Sequence, residues 1–208
     1  MSKRAVFITI EGLEGSGKSS VIEFLENLLQ RKKFSVKVFR EPGSTRIGEK
    51  IRKILLDKKN KEITSHTELL LYLAARTQLI EEKLNAALST YDFVICDRFF
   101  DSTLVYQGYA GGLGELVEAA VKLFSLGIKP DLTIVLDSCV EEGLKRIKNK
   151  DRIEKKPLDF HKKVRDGYLR LWKIYPARIR IVDARTNLED IYKKVEEILK
   201  RERYQAKK

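Results

Sequence analysis

One stretch of the chain has the residue types and spacing of a phosphate-binding loop: Gly12, Leu13, Glu14, Gly15, Ser16, Gly17, Lys18 and Ser19. Its glycines allow consecutive backbone N–H groups to face an anion, and the following helix directs its positive end to the same point. Lys18 can reach the β- and γ-phosphates of a nucleotide, and the Ser19 hydroxyl can ligate Mg²⁺. The loop therefore predicts a nucleoside triphosphate site with Mg²⁺. No N-K-x-D guanine signature is visible in the sequence, which favours ATP over GTP.

Charged side chains stand at the ends of two other apolar runs. Arg40 ends "SVKVFR", and Asp97 and Arg98 end "DFVICDR". Ligands of open parallel sheets bind at the carboxyl ends of the strands, so these residues are expected beside the loop. Asp97 is placed to hold Mg²⁺ through water, and an arginine can bind a phosphate with two parallel hydrogen bonds. Two arginines facing one phosphate-binding loop predict a second anionic ligand.

Two further segments carry groups suited to a nucleoside. Tyr72 and Arg76 are four residues apart and share a helical face. They can stack on a base and hydrogen-bond its carbonyl, or they can be a core tyrosine and a solvated arginine. The segment "DSTLVYQGYAGG" at 101–112 contains glycines that predict a loop, and four of its polar side chains suit a sugar and a base edge: Ser102, Thr103, Tyr106 and Gln107.

A basic segment near 144–156 carries much of the formal net charge of +12, including Lys145, Arg146, Lys148, Lys150 and Arg152. It is either a solvated helix face or a mobile lid, at about 142–157, that brings cations onto a transferring phosphoryl group and excludes water. If it is a lid, the charge serves nucleotides, and we expect no nucleic-acid partner. The basic tail at 200–208 is expected to be a solvated helix end.

The remaining sequence predicts an α/β fold. Five apolar, β-rich runs are separated by helical patterns, which predicts a parallel sheet with helices on both faces. The runs are "AVFITIEG", "SVKVFREP", "DFVICDRF", "LTIVLDS" and "RIRIVDA"; the helical patterns begin near residues 20, 65, 114 and 187. Ser65 and Glu68 form a capping-box pattern at the second helix.

Composition and length predict a single domain over 1–208, since 43% of the residues are hydrophobic and 35% are charged. No apolar run approaches the ~20 residues that span a bilayer, and the start "MSKRAVFITI" predicts a strand rather than a signal peptide. Cys96 and Cys139 lack metal-ligand spacing and are expected to be small buried residues in a reducing compartment. These features predict a cytoplasmic protein without a membrane partner.

The motifs together resemble those of bacterial thymidylate kinases over nearly the whole chain. The resemblance rests on the stretches "EGLEGSGKS", "REPGSTRIGEKIR", "LLLYLAARTQLIEE", "DRFFDSTLVYQGYAGGL" and "KDRIE". The resemblance implies a P-loop NTPase fold with a five-stranded parallel sheet. It also implies transfer of the γ-phosphoryl group of ATP to dTMP, giving dTDP and ADP in dTTP biosynthesis, and a homodimer.

The resemblance also implies roles at the base and the sugar. Tyr72 would stack on thymine and Arg76 would hydrogen-bond it. Thr103 and Gln107 would lie at the polar edge of the base. Tyr106 would lie under the deoxyribose and exclude a 2′-hydroxyl.

At the acceptor phosphate, the resemblance implies Arg40 and Arg98, with Arg52 nearby. Glu14, at the acidic position of the loop, would face the sugar or the metal.

In one type within that family an arginine follows the acidic position of the loop. Gly15 stands there in this chain, which therefore resembles the type whose lid supplies the cation. Asp151 and Glu154 match the acidic lid positions. The lid holds mostly lysines, and its two arginines, Arg146 and Arg152, are the candidates to reach the phosphoryl group.

Two other activities compete with this interpretation. A phosphate monoester is mostly dianionic at neutral pH, so a dTMP kinase needs no general base. A deoxynucleoside kinase acts on a neutral hydroxyl, and Asp97 would then be a base. A P-loop switch or nucleic-acid-binding ATPase would instead use the basic surface for DNA or RNA.

Overall fold

The structure is a computed structural model in which residues 4–202 are described. Its sheet has five parallel strands in the order β2-β3-β1-β4-β5. They are β1 (Val6–Gly12), β2 (Val36–Arg40), β3 (Phe93–Asp97), β4 (Leu132–Asp137) and β5 (Ile179–Asp183). Each lies within one of the predicted runs, so the predicted α/β fold with a five-stranded parallel sheet is confirmed.

Helices cover both faces of the sheet. They are α1 (Lys18–Arg31), α2 (Arg46–Leu56), α3 (Ser65–Leu79), α4 (Asn85–Thr90), α5 (Phe100–Thr103), α6 (Gly114–Phe124), α7 (Val140–Lys145), α8 (Leu158–Ile174) and α9 (Leu188–Arg201). The α1 and α9 helices pack with Ile8 and Ile10 on one face, while α3, α4 and α6 pack with Phe7 on the other. Adjacent residues of β1 therefore belong to opposite cores, as strand geometry requires.

The strand register brings three loops to one edge of the sheet. Asp97 is level with Ile10 of β1 on one side and with Arg40 of β2 on the other. The segments that follow β1, β2 and β3 consequently start side by side, and the phosphate-binding loop lies among them.

The prediction of a loop at 101–112 is wrong for most of that segment. The chain there forms α5 and then the π-helical segment Leu104–Ala110, and only the end of the segment is non-helical. Gly108 is buried in this helix, where a Cβ would meet Val117 at 3.4 Å. The glycine thus lies inside a helix and does not mark a turn.

The prediction of a capping box at Ser65 is also wrong, because the N-cap of the helix lies one residue earlier. Thr64 is the N-cap of α3, and its side chain accepts a hydrogen bond from the Thr67 N–H. Glu68 is 4% exposed and points into the protein instead of back to the helix start.

The sequence analysis missed α2 and α8 because their buried faces are not aliphatic stripes. The buried residues of α2 are Gly48 and Leu55, and α8 buries His161 and Gly167 beside Val164 and Tyr168. Residues 203–208 of the predicted basic tail lie outside the described part of the chain.

Among residues 4–202, no helix has the length and apolar character needed to cross a membrane. Both cysteines are free; Cys96 is buried, as predicted, whereas Cys139 is only partly so.

Candidate active site

The phosphate-binding loop lies against the backbone of β4. Gly12 has a φ of +131°, and a Cβ there would be 2.6 Å from the Leu136 carbonyl oxygen. Gly17, with a φ of +92°, is the N-cap of α1. Glycine is required at Gly12 both by the left-handed backbone and by the close approach.

Lys18 is held by the loop that precedes it. Its ammonium donates to the carbonyl oxygens of Leu13 at 2.6 Å and Gly12 at 3.3 Å. Burial, together with the charge of Arg98, lowers the pKa of Lys18 to about 8. A phosphate that replaces these neutral acceptors would raise that pKa, because an adjacent anion favours the charged amine.

One cavity adjoins this loop, and the structure brings all ten residues predicted for dTMP to its wall. They are Glu14, Arg40, Arg52, Tyr72, Arg76, Arg98, Ser102, Thr103, Tyr106 and Gln107. Lys18 and Asp97 line the same cavity. The loop, the strand ends and the α3 helix therefore share a single concave site.

Arg76 is fixed at one end of the cavity. Its Nε and Nη2 donate to the Glu41 carboxylate at 2.6–3.0 Å, and Nη2 also donates to the Thr103 hydroxyl at 2.8 Å. The side chain is 1% exposed, yet its Nη1 has no hydrogen-bond partner among residues 4–202. A buried guanidinium donor without a partner is costly, so this end of the cavity is prepared for a hydrogen-bond acceptor.

Arg98 is held in a strained conformation at the centre of the site. It has a φ of +67°. Its Nη1 donates to Ser102 Oγ and to the Tyr168 hydroxyl, each at 3.2 Å, and its Nη2 donates to Glu14 Oε1 at 3.2 Å. The guanidinium also lies over the Tyr106 ring, 5.1 Å from its centroid. These contacts aim a fixed cation into the cavity.

Glu14 joins the loop to the part of the cavity wall that holds Arg98 and Tyr106. Its Oε1 accepts from the Tyr106 hydroxyl at 2.6 Å, and its Oε2 lies 3.6 Å from Nδ1 of the buried His161. Although burial opposes it, contact with His161 and the charges of Arg98 and Lys18 hold the pKa of Glu14 well below its usual range. The carboxylate is therefore ionised.

Arg40 and Arg52 stand at the rim. Arg40 is half-exposed and donates to both carboxylate oxygens of Glu49, at 2.8 and 3.1 Å. Arg52 donates to the Pro42 carbonyl oxygen at 3.0 Å. Their cationic groups face the same cavity as Arg98.

Ser19 and Asp97 border one depression beside the loop. The Asp97 Oδ1 is buried and has no hydrogen-bond partner among the described residues. A carboxylate oxygen and a hydroxyl are the ligands that Mg²⁺ prefers, so the donor set fits this ion.

The two predicted lid arginines occupy different environments. Arg146 is 57% exposed and donates to the Gly15 carbonyl oxygen at 3.1 Å. Arg152 is 9% exposed, with Nη2 2.7 Å from Glu68 Oε2 and Nε donating to the Leu55 carbonyl oxygen at 2.7 Å. The structure brings Arg146 to the phosphate-binding loop and places Arg152 against α2 and α3 instead.

The α7 helix also touches the loop through its backbone. A Cβ at Gly15, whose φ is +70°, would be 2.2 Å from the Gly143 carbonyl oxygen. The loop therefore has no room for a side chain at Gly15 while α7 lies where it does.

Comparison with known proteins decides the family. A family model described as thymidylate kinase matches residues 10–195. This chain belongs to the thymidylate kinase family. The predicted activity, phosphorylation of dTMP to dTDP by ATP, is confirmed with it.

Individual relatives agree along most of the chain. The thymidylate kinase of Thermoanaerobacter sp. (strain X514) is 45% identical over 198 residues, covering 94% of this chain and 97% of that protein. The thymidylate kinase of Caldanaerobacter subterraneus subsp. tengcongensis is 46% identical over 195 residues, covering 92% and 93%. The crystal structure of thymidylate kinase from Ehrlichia chaffeensis has a TM-score of 0.77 at 29% identity and covers 95% of this chain and 99% of that one.

Sequence reasoning missed several buried acids of this kinase, among them Glu11. Glu11 is fully buried and accepts hydrogen bonds from the Phe99 N–H at 2.8 Å, Ser102 Oγ at 2.6 Å and the Tyr168 hydroxyl at 2.7 Å. Burial, then the charge of Asp101, raises the pKa of Glu11 to about 7. A carboxylate inside an apolar strand is the one available signal in the sequence, since buried acids are rare unless they have partners.

Proposed function

We propose that this dTMP kinase binds its acceptor in the cavity with the base at the Arg76 end. Tyr72 stacks on thymine, and the unpartnered Arg76 Nη1 donates to a base carbonyl. Thr103 and Gln107 complete the polar edge of the base. The observation that supports this pose is that Arg76, which lines the cavity, has a buried donor without a partner among the described residues.

The acceptor phosphate lies at the opposite end, nearest Lys18. Arg98 binds it with its planar group, and Arg40 and Arg52 add positive charge from the rim. Tyr106 lies under the deoxyribose with Ser102 nearby, and the ionised Glu14 faces the sugar. All of these side chains line one cavity, which supports a single nucleotide spanning it.

The donor, ATP, binds with its phosphates on the loop from Gly12 to Ser19. Ser19 and Asp97 would hold Mg²⁺, which when bound offsets the charge of the triphosphate. Lys18 leaves the carbonyl oxygens of its own loop and binds the phosphates. The residues thus hold two anions at one edge of the sheet and offset their mutual repulsion.

Arg146 supplies the lid cation, and the kinase is of the basic-lid type. Three observations support this: Gly15 has no space for a side chain, Arg146 already contacts the loop, and the guanidinium of Arg152 is paired with Glu68. The lid at about 142–157 therefore has an exposed first half and an anchored second half. No carboxylate acts as a general base, because the acceptor phosphate arrives deprotonated.

A homodimer is the proposed assembly. Leu70 of α3 is 62% exposed and Leu123 of α6 is 67% exposed, with Leu116, Phe124 and Leu126 also exposed. The α3 and α6 helices pack on each other, so these side chains lie on neighbouring elements. The chain is proposed to be one kinase domain in the cytoplasm, with ATP and dTMP rather than nucleic acid or membrane as partners.

A coupled assay of ADP release tests the proposed site. We expect turnover with dTMP and at least about a hundredfold less with thymidine, dCMP, dGMP or dAMP. Arg146→Ala should lower kcat by about 10² or more, whereas Arg152→Ala should act mainly on the KM for dTMP. Turnover of thymidine, or a kcat unaffected by Arg146→Ala, would contradict these assignments.

A further inference from the structure

We propose that Glu68 is a positioning residue that couples recognition of the base to the placement of the lid. This rests on the dTMP pose described above and adds a residue that contacts neither substrate. Glu68 precedes Tyr72 by four residues and Arg76 by eight, so the three share one face of α3.

Glu68 fixes the orientation of the Gln107 amide. Gln107 is 3% exposed, and its Nε2 donates to Glu68 Oε1 at 2.9 Å. An ionised carboxylate only accepts hydrogen bonds, so it must receive the NH₂ of the amide. The carbonyl oxygen of Gln107 is then the group left for a ligand in the cavity.

This orientation selects one kind of pyrimidine. The Gln107 carbonyl can accept a hydrogen bond from the ring N–H of thymine. Cytosine carries a lone pair at that nitrogen, so two acceptors would face each other. Arg76 Nη1, a donor, favours a carbonyl at the adjacent base position for the same reason.

The same carboxylate binds two cations of the lid. Arg152 Nη2 lies 2.7 Å from Oε2, and Lys156 Nζ lies 3.2 and 3.3 Å from the two oxygens. The backbone N–H of Arg152 donates to the Leu56 carbonyl oxygen at 3.1 Å, and Ile153 is buried in the core. The second half of the lid, 151–156, is therefore tied to the helix that carries the base site.

Coupling follows from the shared acid. A base that holds Gln107 in place leaves Glu68 where it binds Arg152 and Lys156, and this sets the position from which Arg146 reaches the loop. A base that displaces Gln107 disturbs both. A wrong base is then penalised in kcat as well as in KM.

Glu68→Gln tests the inference. The new amide is close in shape but neutral, and its NH₂ can donate to the Gln107 carbonyl, which allows Gln107 to flip. We expect the ratio of kcat/KM for dTMP to that for dCMP to fall about tenfold and the KM for dTMP to rise several-fold. The KM for ATP should stay within twofold.

The control is Glu81→Gln, which removes the same charge from an exposed position in the π-helical segment Ile80–Leu84 that follows α3. It should leave both KM values and the base ratio unchanged. In a double variant with Gln107→Leu, the effects of Glu68→Gln on the base ratio should not add, because Glu68 acts through Gln107.

Three outcomes overturn the inference. They are an unchanged base ratio in Glu68→Gln, additive effects with Gln107→Leu, and an equal loss of affinity for ATP and dTMP that accompanies a lower melting temperature. If Glu68→Gln does not fold, Lys156→Met serves instead, and an unchanged KM for dTMP there overturns it. A wild-type enzyme that does not prefer dTMP over dCMP would refute the proposed pose itself, which is a different result.

Discussion

The proposed donor and acceptor sides of this active site are built from different parts of the chain. The donor side is supplied mainly by eight consecutive residues and the start of one helix, to which Asp97 and Arg146 are added. The acceptor side is made of side chains from several elements, and its contacts join residues far apart in the chain: Glu41 with Arg76 across 35 positions and Glu14 with Arg98 across 84. Most of a triphosphate site can thus be encoded by a short sequence motif, whereas this monophosphate site depends on residues that only the fold brings together.

The two sides also differ in how their cations are held. Arg76 is bound to the buried Glu41 and Arg98 to the partly buried Glu14 before any ligand arrives, which fixes their geometry. Lys18 is bound to neutral carbonyl oxygens of its own loop. Removing a partner from a buried pair is expensive, so changes on the acceptor side are expected to affect stability as well as catalysis.

Loss of the donor cation should produce the largest effect. Lys18→Ala is expected to lower kcat by about 10³ or more, because this ammonium neutralises charge on the phosphoryl group being transferred. Steady-state kinetics measures the effect, and calorimetry with dTMP alone should show nearly unchanged binding. A kcat within tenfold of wild type would contradict this prediction, since it would show that the backbone N–H groups of the loop stabilise the transferring phosphoryl group without Lys18.

Replacement of the acceptor cation should come next. Arg98→Lys is expected to lower kcat/KM for dTMP by about 10²-fold, because lysine keeps the charge but lacks the planar pair of donors. The KM for ATP should change by less than about threefold. Equal losses for ATP and dTMP would mean that the two sides are not separable at Arg98.

The buried acid behind the acceptor side gives a prediction on pH. Glu11 keeps its proton up to about pH 7 in the folded protein but loses it near 4.5 when unfolded. Between those values the folded state binds more protons, so this group makes the free energy of unfolding fall as pH rises. Glu11→Gln removes that slope.

Chemical denaturation at about pH 5 and pH 8 checks this expectation. The variant should gain about 2–3 kcal/mol relative to wild type over that interval. Glu81→Gln, at an exposed position, should give a constant difference. Parallel curves for Glu11→Gln and wild type would mean that Glu11 is ionised throughout.

The smallest effect is expected at the start of α3, the helix of the base site. Thr64→Ala should cost about 1 kcal/mol of unfolding free energy because it removes the N-cap, while Ser65→Ala should stay within about 0.5 kcal/mol. The KM for ATP should not change in either variant. If both variants were destabilised equally, the prediction that Ser65 caps the helix would be supported again.

The comparison also explains what the sequence could predict. The loop and the strands could be predicted because each depends on a short pattern, whereas the roles of the cavity residues, and Arg52 and Glu14 altogether, were implied by the family resemblance. The partners could not be predicted: Glu68 matched a capping box, but its carboxylate turned inward to Gln107, Arg152 and Lys156. The Glu68 carboxylate makes three contacts with residues distant in the sequence instead of a local capping interaction. A short sequence pattern does not reveal such contacts.

The helical segment at 101–112 shows the same limit. Its glycines indicated a loop, yet Gly108 is buried inside the π-helical segment, beside Val117. His161 gave no signal, because its role depends on Glu14 from the distant loop. Similarly, α8 was missed because a histidine and a glycine occupy its buried face.

The close backbone contact between Gly15 and Gly143 restricts where this enzyme can carry a catalytic arginine. Any side chain at Gly15 would separate the loop from α7 and with it displace the segment that carries Arg146. A catalytic arginine inside the loop and the proposed lid, whose α7 helix rests on that loop, therefore exclude each other in this backbone. A chain that moved its cation from one place to the other would have to re-route α7 in the same step.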